Sequence, residues 1–123
     1  MITIQLPFKT PTVNHLHFVW NNRVILTKVA RELKKEILGY CNHDLSLIKG
    51  YKRGLKVTVE IHEDWYTKKG DVKKKDVMNR EKFLTDSIFQ GLGLDDKYIF
   101  EYHIKKVQSS KEFALVKIEV LND

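Results

Sequence analysis

The segment Leu55-Lys56-Val57-Thr58-Val59-Glu60-Ile61 alternates apolar and polar residues without a break. A strand repeats every two residues, so Leu55, Val57, Val59 and Ile61 share one face; a helix would scatter them around its circumference. The segment predicts a half-buried strand, and the rest of the chain must cover its apolar side. Upstream, Thr3–Leu6 reads as a short strand stopped by Pro7, and residues 7–22, with Pro11, Asn14, Asn21 and Asn22, read as an extended loop. Residues 23–26 form a second short strand. Thr27 then caps a helix carrying Ala30, Leu33, Ile37 and Leu38 at helical spacing, with Gly39 near its stop. Residues 42–54 and the basic stretch 64–75 read as loops. A second helix begins between Asp76 and Asn79 and stops near Gly91 or Gly93. Tyr98–Val107 and Phe113–Val120 are strands, joined through residues 108–111 as a hairpin. The order β-β-α-β-α-β-β predicts a single small α/β (mixed α+β) domain over residues 1–123, a mixed sheet with two helices packed on it.

The chain has 123 residues, 42% of them hydrophobic, enough for one core without crosslinks. Cys41 is the only cysteine, which excludes a disulfide framework and a four-cysteine zinc site and points to a reducing, cytoplasmic setting. The opening MITIQLPF has neither the basic start nor the long apolar run of a secretory leader, and no apolar run is long enough to span a membrane. The net charge is +6, and a basic surface attracts polyanions, nucleic acid first among them.

Within this basic chain one segment gathers acids. On a helical wheel Val77, Leu84 and Ile88 share one side with Phe83 beside them, whereas Asn79, Lys82 and Asp86 fall together on another face. Asp76 sits at or just before the first turn, and Asp95-Asp96 follow the helix, where the chain can fold back. Carboxylates beside an ammonium suit metal-assisted phosphodiester chemistry. Mg²⁺ takes hard oxygen ligands, and a lysine can stabilise charge in the transition state. The same residues also read as an N-cap (Asp76), an exposed i, i+4 pair (Lys82 and Asp86) and a turn (Asp95-Asp96).

These residues resemble the RusA family of Holliday junction resolvases. The family pattern Asp-x-Asp-Asn-x-x-Lys, an Asp four residues on and a terminal Asp-Asp stand here as Asp76-Val77-Met78-Asn79-Arg80-Glu81-Lys82, Asp86 and Asp95-Asp96. Leu6-Pro7-Phe8-Lys9-Thr10-Pro11-Thr12-Val13-Asn14 is similar to the family's Pro-rich opening, and Val24–Thr27 with the basic helix after it to the next block. The resemblance covers most of the chain. It implies a RusA-like fold and a homodimeric, Mg²⁺-dependent endonuclease, with Mn²⁺ able to substitute, that makes paired symmetric nicks in four-way DNA junctions. It further implies Asp76 and Asp96 as metal ligands and catalytic acids, Lys82 as the catalytic lysine, and Asn79, Asp86 and Asp95 as supporting groups. Met78 stands where the family has a second Asp, and a soft thioether cannot replace a carboxylate for Mg²⁺. Three accounts are open: a metal held by fewer carboxylates with help from Asp71, Glu81 or Asp95; a junction-binding member with weak or lost cleavage; or an introduced substitution.

Lys68, Lys69, Lys73, Lys74 and Lys75 precede the acidic motif and can contact phosphates without reading sequence, and Asn14 is grouped with them as a DNA contact. His15 and His17 lack further ligands nearby, so a surface role fits them better than a metal. Trp20, Trp65 and Tyr66 read as core or interface aromatics before base-stacking ones, and Cys41 as inert.

Overall fold

The computed structural model describes residues 1–9, 17–74 and 80–121. Its strands are β1 (Ile2–Leu6), β2 (His17–Trp20), β3 (Arg23–Leu26), β4 (Leu55–Glu63), β5 (Ile99–Gln108) and β6 (Phe113–Val120), and its helices α1 (Lys28–Leu38) and α2 (Arg80–Leu92). Short 3₁₀ turns occupy Leu45–Ile48, Tyr51–Arg53 and Asp96–Tyr98.

The alternating segment is the middle of the architecture. The main sheet has the order β1-β6-β4-β5, and β4 pairs antiparallel with β6 and parallel with β5. Leu55, Val57, Val59 and Ile61 are buried in one cluster with Ile2, Ile4 and Leu6 of β1, Val116 and Ile118 of β6, Ala30 and Ile37 of α1, and Leu84 and Ile88 of α2. The mixed sheet with two helices is the predicted α+β class.

Two expectations are corrected. Residues 108–111 do not join a hairpin, because β4 lies between β5 and β6. The connection crosses the end of β4, where the Ser109 N–H donates to the Glu63 carbonyl at 3.1 Å. A Gln-Ser-Ser-Lys turn signals a change of direction and carries no information about which strand becomes the neighbour. Second, residues 17–22 are not loop: β2 and β3 form a separate two-stranded hairpin. Asn21 and Asn22 both take positive φ, 49° and 61°. Two successive left-handed residues make the turn whose twist matches a hairpin, and asparagine tolerates them. The Asn-Asn pair was the available signal.

Other local readings hold. Thr27 Oγ1 accepts from the Ala30 N–H at 3.1 Å and caps α1. Trp65 is buried and donates from Nε1 to the Ile61 carbonyl at 3.1 Å, so it belongs to the core. Cys41 is buried, its Sγ donates to the Ile37 carbonyl, and burial pushes its thiol pKa up, as an inert structural thiol requires. Residues 65–73 are more ordered than a plain loop: they form a tongue closed by a Tyr66–Val72 bridge and a Lys73 N–H to Trp65 carbonyl bond of 2.7 Å. No helix among the described residues is long and apolar enough to cross a membrane.

The two helices meet closely at Gly91. A Cβ there would stand 2.8 Å from Cys41 Cβ and 2.9 Å from Leu38 Cδ2, inside contact distance. Gly91→Ala gains about 1 kcal/mol of helix propensity, but overpacking of this kind costs about 1–3 kcal/mol. Cys41 Cβ is tied to its backbone and cannot turn aside. The substitution is therefore expected to lower the urea midpoint, with a net loss of roughly 1 kcal/mol; a higher midpoint would show that the helices part freely.

Candidate active site

The C-terminus of α2 explains how Asp96 returns to the helix that carries Lys82. Gly93 takes φ 72°, its N–H bonds the Gln90 carbonyl at 3.2 Å, and the Leu94 N–H bonds the Phe89 carbonyl at 2.9 Å. This is the paired bonding of a Schellman cap, with Leu94 buried behind it. The chain reverses, Asp95 Oδ1 accepts from the Lys97 N–H at 2.9 Å to cap the 3₁₀ turn, and β5 follows.

The result is a cleft of about 350 Å³ between the first turns of α2, the Asp96 turn and the start of β5. Glu81, Lys82, Thr85, Asp86, Asp96 and Tyr102 line it. Three residues singled out from sequence, Lys82, Asp86 and Asp96, thus face one space, and all three are exposed. Among the described residues no ion pair joins Lys82 to Asp86, so this is not the surface pair that their i, i+4 spacing allows. Asp95 lines an adjoining hollow with Asp86 and Asp96, its carboxylate engaged in the cap. Asp76, Met78, Asn79, Lys75, Asn14 and His15 lie outside the described residues. His17 and Trp20 are the two ends of β2.

Sequence reading missed the wall of the cleft. The β4–β5 register sets Tyr102 opposite Val57. Its hydroxyl lies 2.6 Å from Thr85 Oγ1 and donates to the Glu81 carbonyl at 3.5 Å. Burial pushes the Tyr102 phenol up to about 12, and the charges of Glu81 and Asp86 add to the shift while the Thr85 hydrogen bond opposes it. Tyr102 is therefore neutral at working pH and ties β5 to α2. Glu81 was read as a possible helper, and its burial was not anticipated: it is 8% exposed, and among the described residues Oε2 has no hydrogen-bond partner.

A buried ion pair anchors the N-terminal end of α2. Arg80 Nη2 donates to Glu63 Oε1 at 2.5 Å, and the two residues are 2% and 1% exposed. The Arg80 guanidinium lies 5.5 Å from the centre of the Trp65 ring, and Lys106 Nζ lies 4.8 Å from the same ring. The signal for this anchor was in the alternation itself. Extended by two residues past Ile61, the apolar face of β4 ends on a glutamate, and a buried carboxylate needs a cation.

The basic tongue carries Lys68 and Lys69 exposed, with exposed Lys74 after it. Lys73 is half-buried, with Nζ 3.6 Å from Asp64 Oδ2. Asp71 is exposed on the tongue, its N–H donating to Thr67 Oγ1, and it is not part of the cleft wall.

A cleft where carboxylates and one ammonium converge can take a divalent cation and a phosphate together. The buried Glu81 Oε2, without a hydrogen-bond partner among the described residues, fits a cation better than it fits an apolar ligand. Among the described residues no three acids, histidines or cysteines already share one ion position. The arrangement is that of a small α+β domain with an acid-lined cleft beside one exposed lysine. The model of the Endodeoxyribonuclease RusA family matches residues 7–120, and the chain belongs to that family. No individually curated protein matches it. Membership supports a Holliday junction-resolving endonuclease in general, within a family of metal-dependent nucleases that act on branched DNA.

The anchor is expected to control stability. Glu63→Gln removes the carboxylate that bonds the buried Arg80 guanidinium, and breaking a buried pair costs about 3–5 kcal/mol. Urea unfolding should register a loss of that order, and a loss below about 1 kcal/mol would mean that Arg80 finds solvent when Glu63 is neutral.

Proposed function

We propose that this chain is a Mg²⁺-dependent endonuclease that resolves four-way DNA junctions by paired symmetric nicks, acting as a homodimer in the cytoplasm. The observation that carries this reading is the convergence of Lys82, Asp86 and Asp96 on one cleft of a RusA-family chain. Asp96 and Asp76 are the residues that would hold the metal, with Mn²⁺ able to stand in. When bound, the metal lowers the pKa of a water and screens the phosphate charge.

The protein's own groups do the rest. The Lys82 ammonium reaches the cleft from the exposed face of α2 and stabilises negative charge as it develops on the phosphate or the leaving oxygen. Asp86 and Asp95 flank Asp96 and set the local field, and Asn79 supports the same motif. Neutral Tyr102, bonded to Thr85 and the Glu81 carbonyl, holds β5 and α2 at a constant separation. The lysines of the tongue and its exit, Lys68, Lys69, Lys73, Lys74 and Lys75, together with Asn14, contact flanking phosphates and position the junction without reading sequence. A two-fold dimer presents one cleft to each of two symmetry-related strands, which is what paired nicking requires.

Met78 favours a second reading, a junction-binding protein with feeble or lost cleavage. Incubation with a labelled four-way junction and a matched linear duplex, with and without Mg²⁺, separates the two. Paired nicks that need Mg²⁺ are the expected result; selective binding without nicks establishes the second reading, and no preference for the junction overturns both.

Lys82→Ala should abolish cleavage while junction affinity stays within a few-fold, because one lost phosphate contact weakens binding modestly. An unchanged single-turnover rate would remove Lys82 from the mechanism. Replacing Lys68, Lys69 and Lys74 together by Gln should weaken junction and duplex binding alike and flatten the salt dependence of log K. Each lost phosphate contact removes roughly 0.9 from the slope on B-DNA; an unchanged slope places the tongue away from DNA.

A further inference from the structure

We infer that the outer edge of β5 is the surface through which two copies of this chain associate, antiparallel and about a two-fold axis at His103. The inference rests on the dimeric reading above for the existence of a dimer and adds its surface and register.

β5 has ten residues, is the longest described strand and lies at an edge of the main sheet. Among the described residues β4 is its only strand partner. The backbone N–H and C=O groups along its far side are a template for another strand. Proteins guard such edges with short strands, proline, bulges or charge. From Glu101 to Gln108, β5 has neither proline nor glycine, and its register with β4 is unbroken. The one irregularity falls before it, between Leu55 and Lys56 of β4. Aromatic surface is left outside as well: Phe100 is 70% exposed and Tyr102 37%.

The charges identify the occupant. Glu101 and Lys105 are exposed, and neither has an ion pair among the described residues. Glu60 of β4, across from Lys105, is already bonded to His62 and Lys117. In a two-fold pair that keeps the helices of both copies on one face, the axis passes through a residue, because directly opposed side chains share a face. With the axis at His103, Glu101 of each copy faces Lys105 of the other, and Tyr102 faces Ile104, an aromatic residue against a β-branched one. An axis at Tyr102 sets Glu101 against His103, one at Ile104 sets His103 against Lys105, and one at Lys105 sets two lysines together. Charge that deters a foreign strand thus fits a copy of this one, in one register of the four.

The pairing reaches the cleft. Tyr102 lines it from the face of β5 that α2 covers, so both clefts open on the same side of the joined sheets. The tongue is tied to the end of β5: Gln108 Oε1 accepts from the Trp65 N–H at 2.8 Å, and Gln108 Nε2 donates to Asp64 Oδ1 at 2.9 Å. Antiparallel pairing about His103 brings Gln108 beside the Asp96–Tyr98 turn of the second copy. Each tongue, with Lys68 and Lys69, then stands next to the cleft of the other copy.

The test is sedimentation equilibrium of the full-length chain without DNA, with melting curves to check folding. Glu101→Lys and Lys105→Glu should each weaken the dimer about tenfold or more, because like charges then face each other twice. The two substitutions together restore opposite charges and should recover most of the lost affinity. A dimer that neither single substitution weakens lies on another surface: the dimeric reading stands and β5 is overturned. Weakening without recovery in the double variant overturns this register. A wild-type chain that stays monomeric overturns the dimeric reading and this surface with it. A second measurement decides alone if a charge variant does not fold. At the axis, His103→Cys brings two thiols onto opposed residues whose Cα atoms are about 4.5–5.5 Å apart, within disulfide range. Glu101→Cys instead leaves the two thiols offset by four residues along the strands, roughly 13 Å. Mild oxidation should link His103→Cys into a covalent dimer and leave Glu101→Cys unlinked; Cys41 is buried and does not compete. No link at His103→Cys, or equal linking at both positions, overturns the inference.

Discussion

Strand β4 has a hydrogen-bonded neighbour on each side, and the position of the cleft depends on that. One neighbour, β5, runs parallel to β4. Parallel strands cannot be joined by a tight turn, so the chain between them must cross over, and α2 is the helix of that crossover. This lays α2 against the sheet with its first turns beside the start of β5. Had β5 paired with β6, as the turn at residues 108–111 suggests, β6 would separate it from β4. Neighbouring strands are roughly 5 Å apart, so Tyr102 and the Asp96 turn would move by about one such step relative to α2. The Tyr102–Thr85 bond of 2.6 Å does not survive a shift of that size.

Two local devices then aim the helix. At its start, Arg80 is held by Glu63 and by the face of Trp65, which fixes the end of β4 to the first residue of α2. A buried ion pair adds little net stability compared with apolar packing, because both charges lose water; its consequence here is positional. At its end, the Schellman cap at Gly93 turns the chain back so that Asp96 faces the residues one to three turns earlier. Lys82, Asp86 and Asp96 meet because both ends of one helix are constrained.

The charge pattern follows the same logic. The protein carries +6 overall, yet Glu81, Asp86 and Asp96 face one ammonium, Lys82, among the described residues of the cleft. A DNA phosphate approaching those carboxylates meets repulsion unless a cation lies between them. Overall positive charge and a locally acidic cleft are therefore complementary in a family of metal-dependent nucleases: one gathers the polyanion, the other the ion.

Much of this was legible in residue order, and the reason is physical. Alternation at residues 55–61 is a property of the strand repeat, Thr27 caps through its own hydroxyl, and the Lys82–Asp86 face of α2 is set by helical periodicity. The family resemblance likewise lay in the spacing from Asp76 to Asp96. These are short-range facts, encoded within a few residues. The strand order, the Glu63–Arg80 anchor, the neutral Tyr102 wall and the burial of Glu81 are different in kind. Each joins residues 17 or more positions apart, or depends on what covers a side chain. Local propensity carries no term for such contacts. The sequence by itself determined both helices, every strand but β2, and which residue types gather at the acidic motif. Only the tertiary structure decided which of those acids face the same space, because that choice is made when β4 takes its two neighbours and buries the face on which α2 must lie.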